Sequence, residues 1–336
     1  MRFDPATKGG FNLNGAFRTV SHVRLTRLDQ VPRRSHVVSI GTFDGVHRGH
    51  RHLLESAATR SGELGVPLLV VTFEPIPAQV IRPDTFPGRL LTADRKIDML
   101  LSTGEIDLLV LPFTEALRLQ TPEAFMENLH RFALPAELWV GEEFALGYNR
   151  GGTVDRLTAI GAGLGFPVHA VDRLVHDGEI ISSSRIRAHI LAGEPERAAS
   201  LLGYPYSVAG EVIPGAQMGR RIGFPTANVV PPDGLVALPD GIYASFAYLP
   251  GELRPLGAVT YIGTRPALNS GDRLIETHIL DFEGDLYGMQ LQTAFVERLR
   301  PDATFESVDA LIVQLQKDEA HARTALASRA NLAGNA

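Results

Sequence analysis

From Val37 onward the chain alternates short, uninterrupted apolar runs with stretches of helical period. The runs are "VVSIG" (Val37–Gly41), "PLLVVTF" (Pro67–Phe73), "IDLLVLPF" (Ile106–Phe113), "ELWVG" (Glu137–Gly141) and "FPVHAV" (Phe166–Val171). A strand covered on both faces shows no polar side, so such runs predict buried strands. Between them, "HRHLLESAATRSGELG" and "TPEAFMENLHRFAL" predict helices, the second with Thr121 as N-cap and Pro122 at its first position. Strand, helix and strand in repetition require right-handed crossovers and a parallel sheet. Ligands of such a sheet bind beyond the carboxyl ends of its strands.

The texture changes after "ISSSRIRAHILAGEPERAASLLG", which predicts two short helices broken near Gly193 and Pro195, with Leu201 and Leu202 packed beside Ala198. Then come "YSVAGEVI", "TANVV", "IYASFAYL", "LGAVTYIG", "LIETHILDF" and "MQLQTAFVERL". Strands at this spacing, with no helices between, predict a small antiparallel barrel. A last helix spans "FESVDALIVQLQKDEAHARTALAS", with apolar residues at Val308, Leu311, Ile312 and Leu315. The expected organisation is a loosely held extension (1–20), an α/β domain (21–186), a helical linker (187–203) and an all-β domain (204–336).

Composition narrows the picture. At 336 residues the chain is long enough for two domains. A formal net charge of −6 argues against a broad nucleic-acid-binding face. The absence of cysteine removes disulfides, thiolate catalysis and cysteine zinc sites. No apolar run reaches membrane-spanning length, and "MRFDPATKGGFNLNGAFRTV" lacks the apolar centre of a signal peptide. The expectation is a cytoplasmic enzyme acting on small molecules, without nucleic-acid or membrane partners; its oligomeric state is left open.

Candidate chemistry begins at "GTFDGVHRGHRHLL" (Gly41–Leu54), where a predicted strand turns into a predicted helix. Gly45 and Gly49 let backbone amides approach a ligand, and the helix N-terminus favours an anion. His47 and His50 can donate hydrogen bonds to phosphate oxygens, stabilising charge on an α-phosphate and a leaving pyrophosphate. Either histidine alone reads as structural; the pair in this junction reads as functional. "GTFDGVHRGH" resembles the histidine–glycine–histidine signature of the adenylyltransferase module of bacterial bifunctional riboflavin kinase/FAD synthetases. "FEPIP" (Phe73–Pro77), "GEEFALG" (Gly141–Gly147) and "ISSSRIR" (Ile181–Arg187) follow in that family's order.

The resemblance implies a Rossmann-like nucleotidyltransferase domain that binds ATP and flavin. Its site would use Gly41, Phe43, Asp44, His47, Gly49, His50 and Glu143, with Ser182, Ser183, Ser184 and Arg187 on the triphosphate. Hydroxyls ahead of a helix together with a guanidinium suit phosphate, although "SSS" is equally a helix cap. Three positions depart from the family: Ile76 stands where histidine is usual, Glu143 is one methylene longer than aspartate, and Leu146 replaces an aromatic residue.

"GRRIGFPTANVV" (Gly219–Val230) is the sharpest signal. Gly219 and Gly223 permit tight turns, Arg220 and Arg221 bring positive charge, and Pro225 stiffens the approach to Thr226 and Asn228. These last two lie two apart and project from one strand face. Hydroxyl and amide oxygens are hard ligands suited to Mg²⁺ held with phosphates. The string resembles the riboflavin kinase signature, whose threonine and asparagine bind Mg-ATP. The resemblance further implies Glu276 as the base that takes a proton from the ribityl 5′-hydroxyl. Glu276 and His278 share one strand face and Thr277 the other. Arg298 or Arg300, in "ERLRP", is expected against phosphate or flavin. Tyr261 and Ala267 stand where the family has asparagine and threonine, and Tyr261 could stack on an aromatic ligand.

The expected fold is α/β plus all-β, with a riboflavin kinase-like barrel and a terminal helix in the second domain. The expected function is phosphorylation of riboflavin to FMN and adenylylation of FMN to FAD, with ATP as co-substrate and Mg²⁺ as cofactor. Two other readings stay open: only the kinase half is active, or the chain is a non-catalytic flavin- or nucleotide-binding regulator.

Overall fold

The computed structural model describes residues 24–215, 218–252, 254–264 and 273–329. The expected extension (1–20) and Ala267 lie outside the described residues. The chain divides into two compact units, one reaching Phe86 and resuming over Leu91–Ile181, the other comprising Pro87–Leu90 and everything from Ser182.

The first unit opens with β1 (Arg24–Leu25), β2 (His36–Ile40), α1 (Arg48–Leu64), β3 (Leu68–Glu74), α2 (Pro77–Ile81) and α3 (Ala93–Leu101). It continues through β4 (Asp107–Pro112), α4 (Glu115–Arg118), α5 (Pro122–Ala133) and β5 (Pro135–Gly141). A small flap, β6 (Ala145–Leu146) and β7 (Gly152–Thr153), leads to α6 (Val154–Leu164), β8 (Val168–Val171), β9 (Val175–His176) and β10 (Glu179–Ile180). Six strands form a parallel sheet in the order β1-β4-β3-β2-β5-β8.

Thr121 caps α5 through its side chain and Pro122 opens the helix, as its sequence predicts. The five expected strands are present, but β8 is a half-exposed edge strand and not a buried one, because the sheet ends there. The chain moves outward from β2 to β3 and β4 on one side, then returns to β5 and β8 on the other. That reversal opens a crevice at the carboxyl ends of β2 and β5. The Gly41–His50 turn follows β2 and "GEEFALG" begins at the end of β5, so the parallel sheet brings both segments to the same edge.

The second unit contains α7 (Ser183–Ala192), α8 (Pro195–Leu202), β11 (Ser207–Ile213), α9 (Met218–Arg221), β12 (Ala227–Val229) and β13 (Gly241–Tyr248). β14 (Leu256–Thr264), β15 (Arg273–Ile279), β16 (Gln290–Arg300) and α10 (Val308–Ala327) complete it. The strands close a barrel in the order β11-β12-β15-β14-β13-β16, every pairing antiparallel.

The division between the units differs from the expected boundary at residue 186 and separate linker over 187–203. α7 and α8 pack with the barrel unit, α8 against β16, burying Leu201 and Leu202. Pro87–Leu90 joins the same unit through backbone bonds of Arg89 to Gly234 (2.8 Å) and Val236 (2.9 Å).

β15 and β16 are not neighbours in the barrel, so the 3.1 Å contact of the Thr277 and Thr293 hydroxyls crosses the lumen. Thr260 and Ser245 extend this buried hydroxyl chain, at 3.2 and 2.6 Å. Residues of opposite parity, among them Ile242, Val259, Tyr261 and Glu276, therefore face outward. α10 covers part of that outer face with Asp318, Ala322, Ala325 and Leu326, one helical stripe in its second half. The expected apolar stripe lies earlier: Val308 is exposed, while Leu311, Ile312 and Leu315 are half-buried. The bidentate Arg300–Asp318 ion pair (2.9 and 2.7 Å) fixes which face turns inward.

Candidate active sites

In the first unit the turn after β2 is built around buried Phe43. Its ring lies over Gly41, where a Cβ would come within 2.8 Å of the ring, and meets the His50 ring edge-on at 5.3 Å. Gly45 takes φ 86°, and Phe43 and Val46 also adopt left-handed φ of 50° and 34°. Such residues cost about 1–3 kcal/mol each and persist where packing over-determines them; both side chains are fully buried.

His47 caps α1: its Nδ1 accepts from the backbone N–H of His50 at 3.2 Å. The proton of that ring therefore sits on Nε2. The two imidazoles stack at 3.5 Å between centroids, 14° from parallel. Burial first, then the neighbouring His47 and the Lys96 ammonium, hold the pKa of His50 well below the usual imidazole value. Asp44 is buried beside the turn.

Lys96 is a residue that the sequence motifs do not reveal. It lies on α3, a helix that carries none of them, and its ammonium is fully buried. Nζ donates to Phe73 O (2.8 Å), Thr72 Oγ1 (3.3 Å) and Thr42 O (3.4 Å) and pairs with Glu74 Oε1 at 2.7 Å. It thereby joins the carboxyl ends of β2 and β3 and places a positive charge behind the histidine turn. The one signal in the sequence is a lysine on the apolar face of "ADRKIDMLL", beside Ile97 and Leu100.

Other expected residues of this half sit as follows. Glu143 is exposed and ion-paired with Arg173. Leu146 is buried in the sheet core. Ile76 is buried at the head of α2, where its side chain has no hydrogen bond to give. Ile181 packs against Gly49, where a Cβ would lie 3.8 Å from its Cγ2. Ser182, the next residue, caps α7 by accepting from the Arg185 N–H at 3.3 Å. Ser183 is half-buried and Ser184 exposed in the first turn, and Arg187 Nε donates to Gly88 O at 2.7 Å.

In the second unit a cavity of 340 Å³ opens on the outer barrel face, a volume ordinary for a small-molecule site. Thr226, Tyr261, Glu276 and His278 line it, with Arg300 at the end of β16 and Leu311 and Leu315 of α10. Asn228 is buried directly opposite Glu276 across the β12–β15 ladder. Its amide lies so close to Gly215 that a Cβ there would collide with Nδ2. Gly219 is constrained likewise, since a Cβ at this position would collide with the Phe224 carbonyl oxygen, and Gly223 takes φ 87°.

The arginines are distributed differently. Arg220 is exposed on α9. Arg300 lines the cavity with its fork committed to Asp318. Arg298 points elsewhere, donating to Asp240 O at 2.9 Å. Tyr261 folds over Gly263 and donates its hydroxyl to Asp302 Oδ2 at 3.1 Å. Among the described residues no group of three or more His, Cys, Asp or Glu side chains could hold a metal ion, and no helix is long and apolar enough to cross a membrane.

Comparison with known proteins bears on both units. Residues 29–185 match the family described as FAD synthetase, and residues 202–326 that described as riboflavin kinase. The chain is 35% identical over 297 residues to the bifunctional riboflavin kinase/FMN adenylyltransferase of Escherichia coli strain K12, covering 88% of this chain and 94% of that one. The protein of the same description from Pseudomonas fluorescens is 37% identical over 300 residues, with 89% and 95% covered. A crystal structure described as a macrolide-efflux protein from Streptococcus pneumoniae superposes with a TM-score of 0.81 at 27% identity, over 90% of this chain and 99% of its own.

Proposed function

The chain belongs to the bifunctional riboflavin kinase/FMN adenylyltransferase family, and on that premise we propose how its two units divide the chemistry. The barrel unit phosphorylates riboflavin to FMN; the α/β unit adenylylates FMN to FAD.

In the barrel unit Glu276 takes the proton of the ribityl 5′-hydroxyl as that oxygen attacks the γ-phosphorus of ATP and ADP departs. Gly219, Arg220, Gly223 and Pro225 shape the phosphate turn. The donor set fits Mg²⁺: Thr226 offers a hydroxyl and Asn228 an amide oxygen, hard ligands of the kind that ion takes together with nucleotide phosphates. When bound, Mg²⁺ neutralises phosphate charge. Thr226 and Asn228 would hold it, and Glu276 moves the proton.

In the α/β unit the FMN phosphate attacks the α-phosphorus of ATP and pyrophosphate leaves. His47 and His50 donate hydrogen bonds to the oxygens that gain charge, and Lys96 supplies a fixed positive field behind them. Gly41, Phe43, Asp44 and Gly49 set the turn, and Glu143 belongs to the nucleotide or flavin contacts. We place both reactions in the cytoplasm, the compartment of ATP.

The observation that carries this reading is that Thr226 and Glu276 line one cavity, with Asn228 paired opposite Glu276. The test is to incubate the purified chain with riboflavin, ATP and Mg²⁺ and resolve the flavins by chromatography. FAD supports both assignments. FMN alone confines activity to the barrel unit, and tightly bound, unchanged riboflavin identifies a regulator.

A further inference from the structure

The backbone pairing of β12 with β15 runs through Val229↔Ile275, Asn228↔Glu276 and Ala227↔Thr277, and stops there. Continuing the register would set Thr226 against His278. The chain turns at Ile222–Gly223 and reaches β12 through irregular backbone over 224–226, where Pro225 has no N–H to give to a ladder. At this point the imidazole replaces the backbone. His278 Nδ1 lies 2.8 Å from the Pro225 carbonyl oxygen. A carbonyl only accepts, so Nδ1 is the donor. The ring also rests against Phe224, with centroids 5.4 Å apart and planes at 60°.

The segment ahead of Thr226 is thus held at two places. Phe224 N–H donates to Gly219 O at 2.8 Å, and Pro225 O accepts from His278. His278 is two residues from Glu276 on the same strand, so its ring projects from the same barrel face, and both line the cavity with Thr226.

We propose that His278 is a positioning residue for the kinase reaction: by tethering Pro225 it fixes the Thr226 hydroxyl relative to the Glu276 carboxylate. This rests on the reading of the barrel unit as the riboflavin kinase. The tether acts on a backbone oxygen, so its requirement is one N–H donor in the Nδ1 position. An asparagine amide meets that requirement from nearly the same place, and a leucine does not.

The experiment measures FMN formation by the full chain with riboflavin, ATP and Mg²⁺, using His278→Leu, His278→Asn, Thr226→Ala and the double variant His278→Leu/Thr226→Ala. Circular dichroism of each preparation checks that the barrel unit is folded, and adenylylation of supplied FMN checks the α/β unit. Misplacing a reacting group by about 1 Å can cost up to about a hundredfold in rate. His278→Leu is expected to lower kcat by about tenfold, inside that limit, and His278→Asn to stay within about threefold of the parent. In the Thr226→Ala background His278→Leu should add little, since the group it positions is gone. Full kcat in His278→Leu, no rescue by asparagine, or losses that multiply in the double variant would each overturn the inference while leaving the kinase reading intact. A parent chain that makes no FMN would overturn the reading and the inference with it.

Discussion

Tyr261 and Asn228 flank Glu276 on either side, the first opposite it on β14 and the second opposite it on β12. Directly opposed residues of an antiparallel pair keep their Cβ atoms about 4.5–5.5 Å apart. A carboxylate, an amide and a phenol therefore form one row across three strands. The row lies outside the barrel because the hydroxyl chain of Ser245, Thr260, Thr277 and Thr293 fills the inside.

Replacing Glu276 by Gln keeps the shape of this row and removes the base. FMN formation should fall by about 10²- to 10⁴-fold, the span typical of general-base catalysis. Supplied FMN should still be adenylylated at the parental rate. Chromatography of the flavins reads both steps; loss of both would refute the division of labour between the units.

Lys96→Met removes a buried ammonium and leaves the Glu74 carboxylate without that partner. Breaking a buried pair from one side costs about 3–5 kcal/mol, so the denaturant midpoint of the α/β unit should drop clearly. FAD formation should fall with it, while the barrel unit continues to make FMN. An unchanged midpoint would show that Lys96 carries no buried charge.

His50 makes stability depend on pH. Its pKa in the folded chain lies well below the usual value, first through burial and then through His47 and Lys96. The unfolded imidazole binds a proton near pH 6.5 while the folded one does not, so stability is lost as the pH falls below about 6.5. The slope from this one group reaches at most about 1.4 kcal/mol per pH unit. Denaturation at pH 7.5 and 5.5 should show a smaller difference in His50→Asn than in the parent; equal differences would contradict the burial of this ring.

Tyr261→Phe removes the hydroxyl that holds Asp302 and leaves the ring in place. A hydrogen bond of about 1 kcal/mol is about fivefold in a local opening equilibrium. Amide exchange over residues 302–306 should quicken by about that factor, with exchange in β13 unchanged. Equal exchange in both proteins would mean that the hydroxyl does not hold this segment.

Much of this architecture is legible in the chain itself. Continuous apolar runs identify strands buried on both faces, and Thr121–Pro122 or Gly193–Glu194–Pro195 mark where helices begin and break, because these signals depend on contacts within a few residues. The glycine and histidine pattern after β2 and the Thr226/Asn228 spacing are local in the same sense. What tertiary structure alone decided is which distant groups meet. Lys96 is an unremarked lysine until α3 docks it under Thr42 and Phe73. Arg298 and Arg300 are equivalent in the sequence, yet packing gives one to Asp240 and the other to Asp318. The cavity needs the segment ahead of β12, strands β13 to β15, the end of β16 with the segment after it, and α10 together. Those encounters follow from strand register and helix docking, which the whole core sets at once and no short stretch of residues encodes.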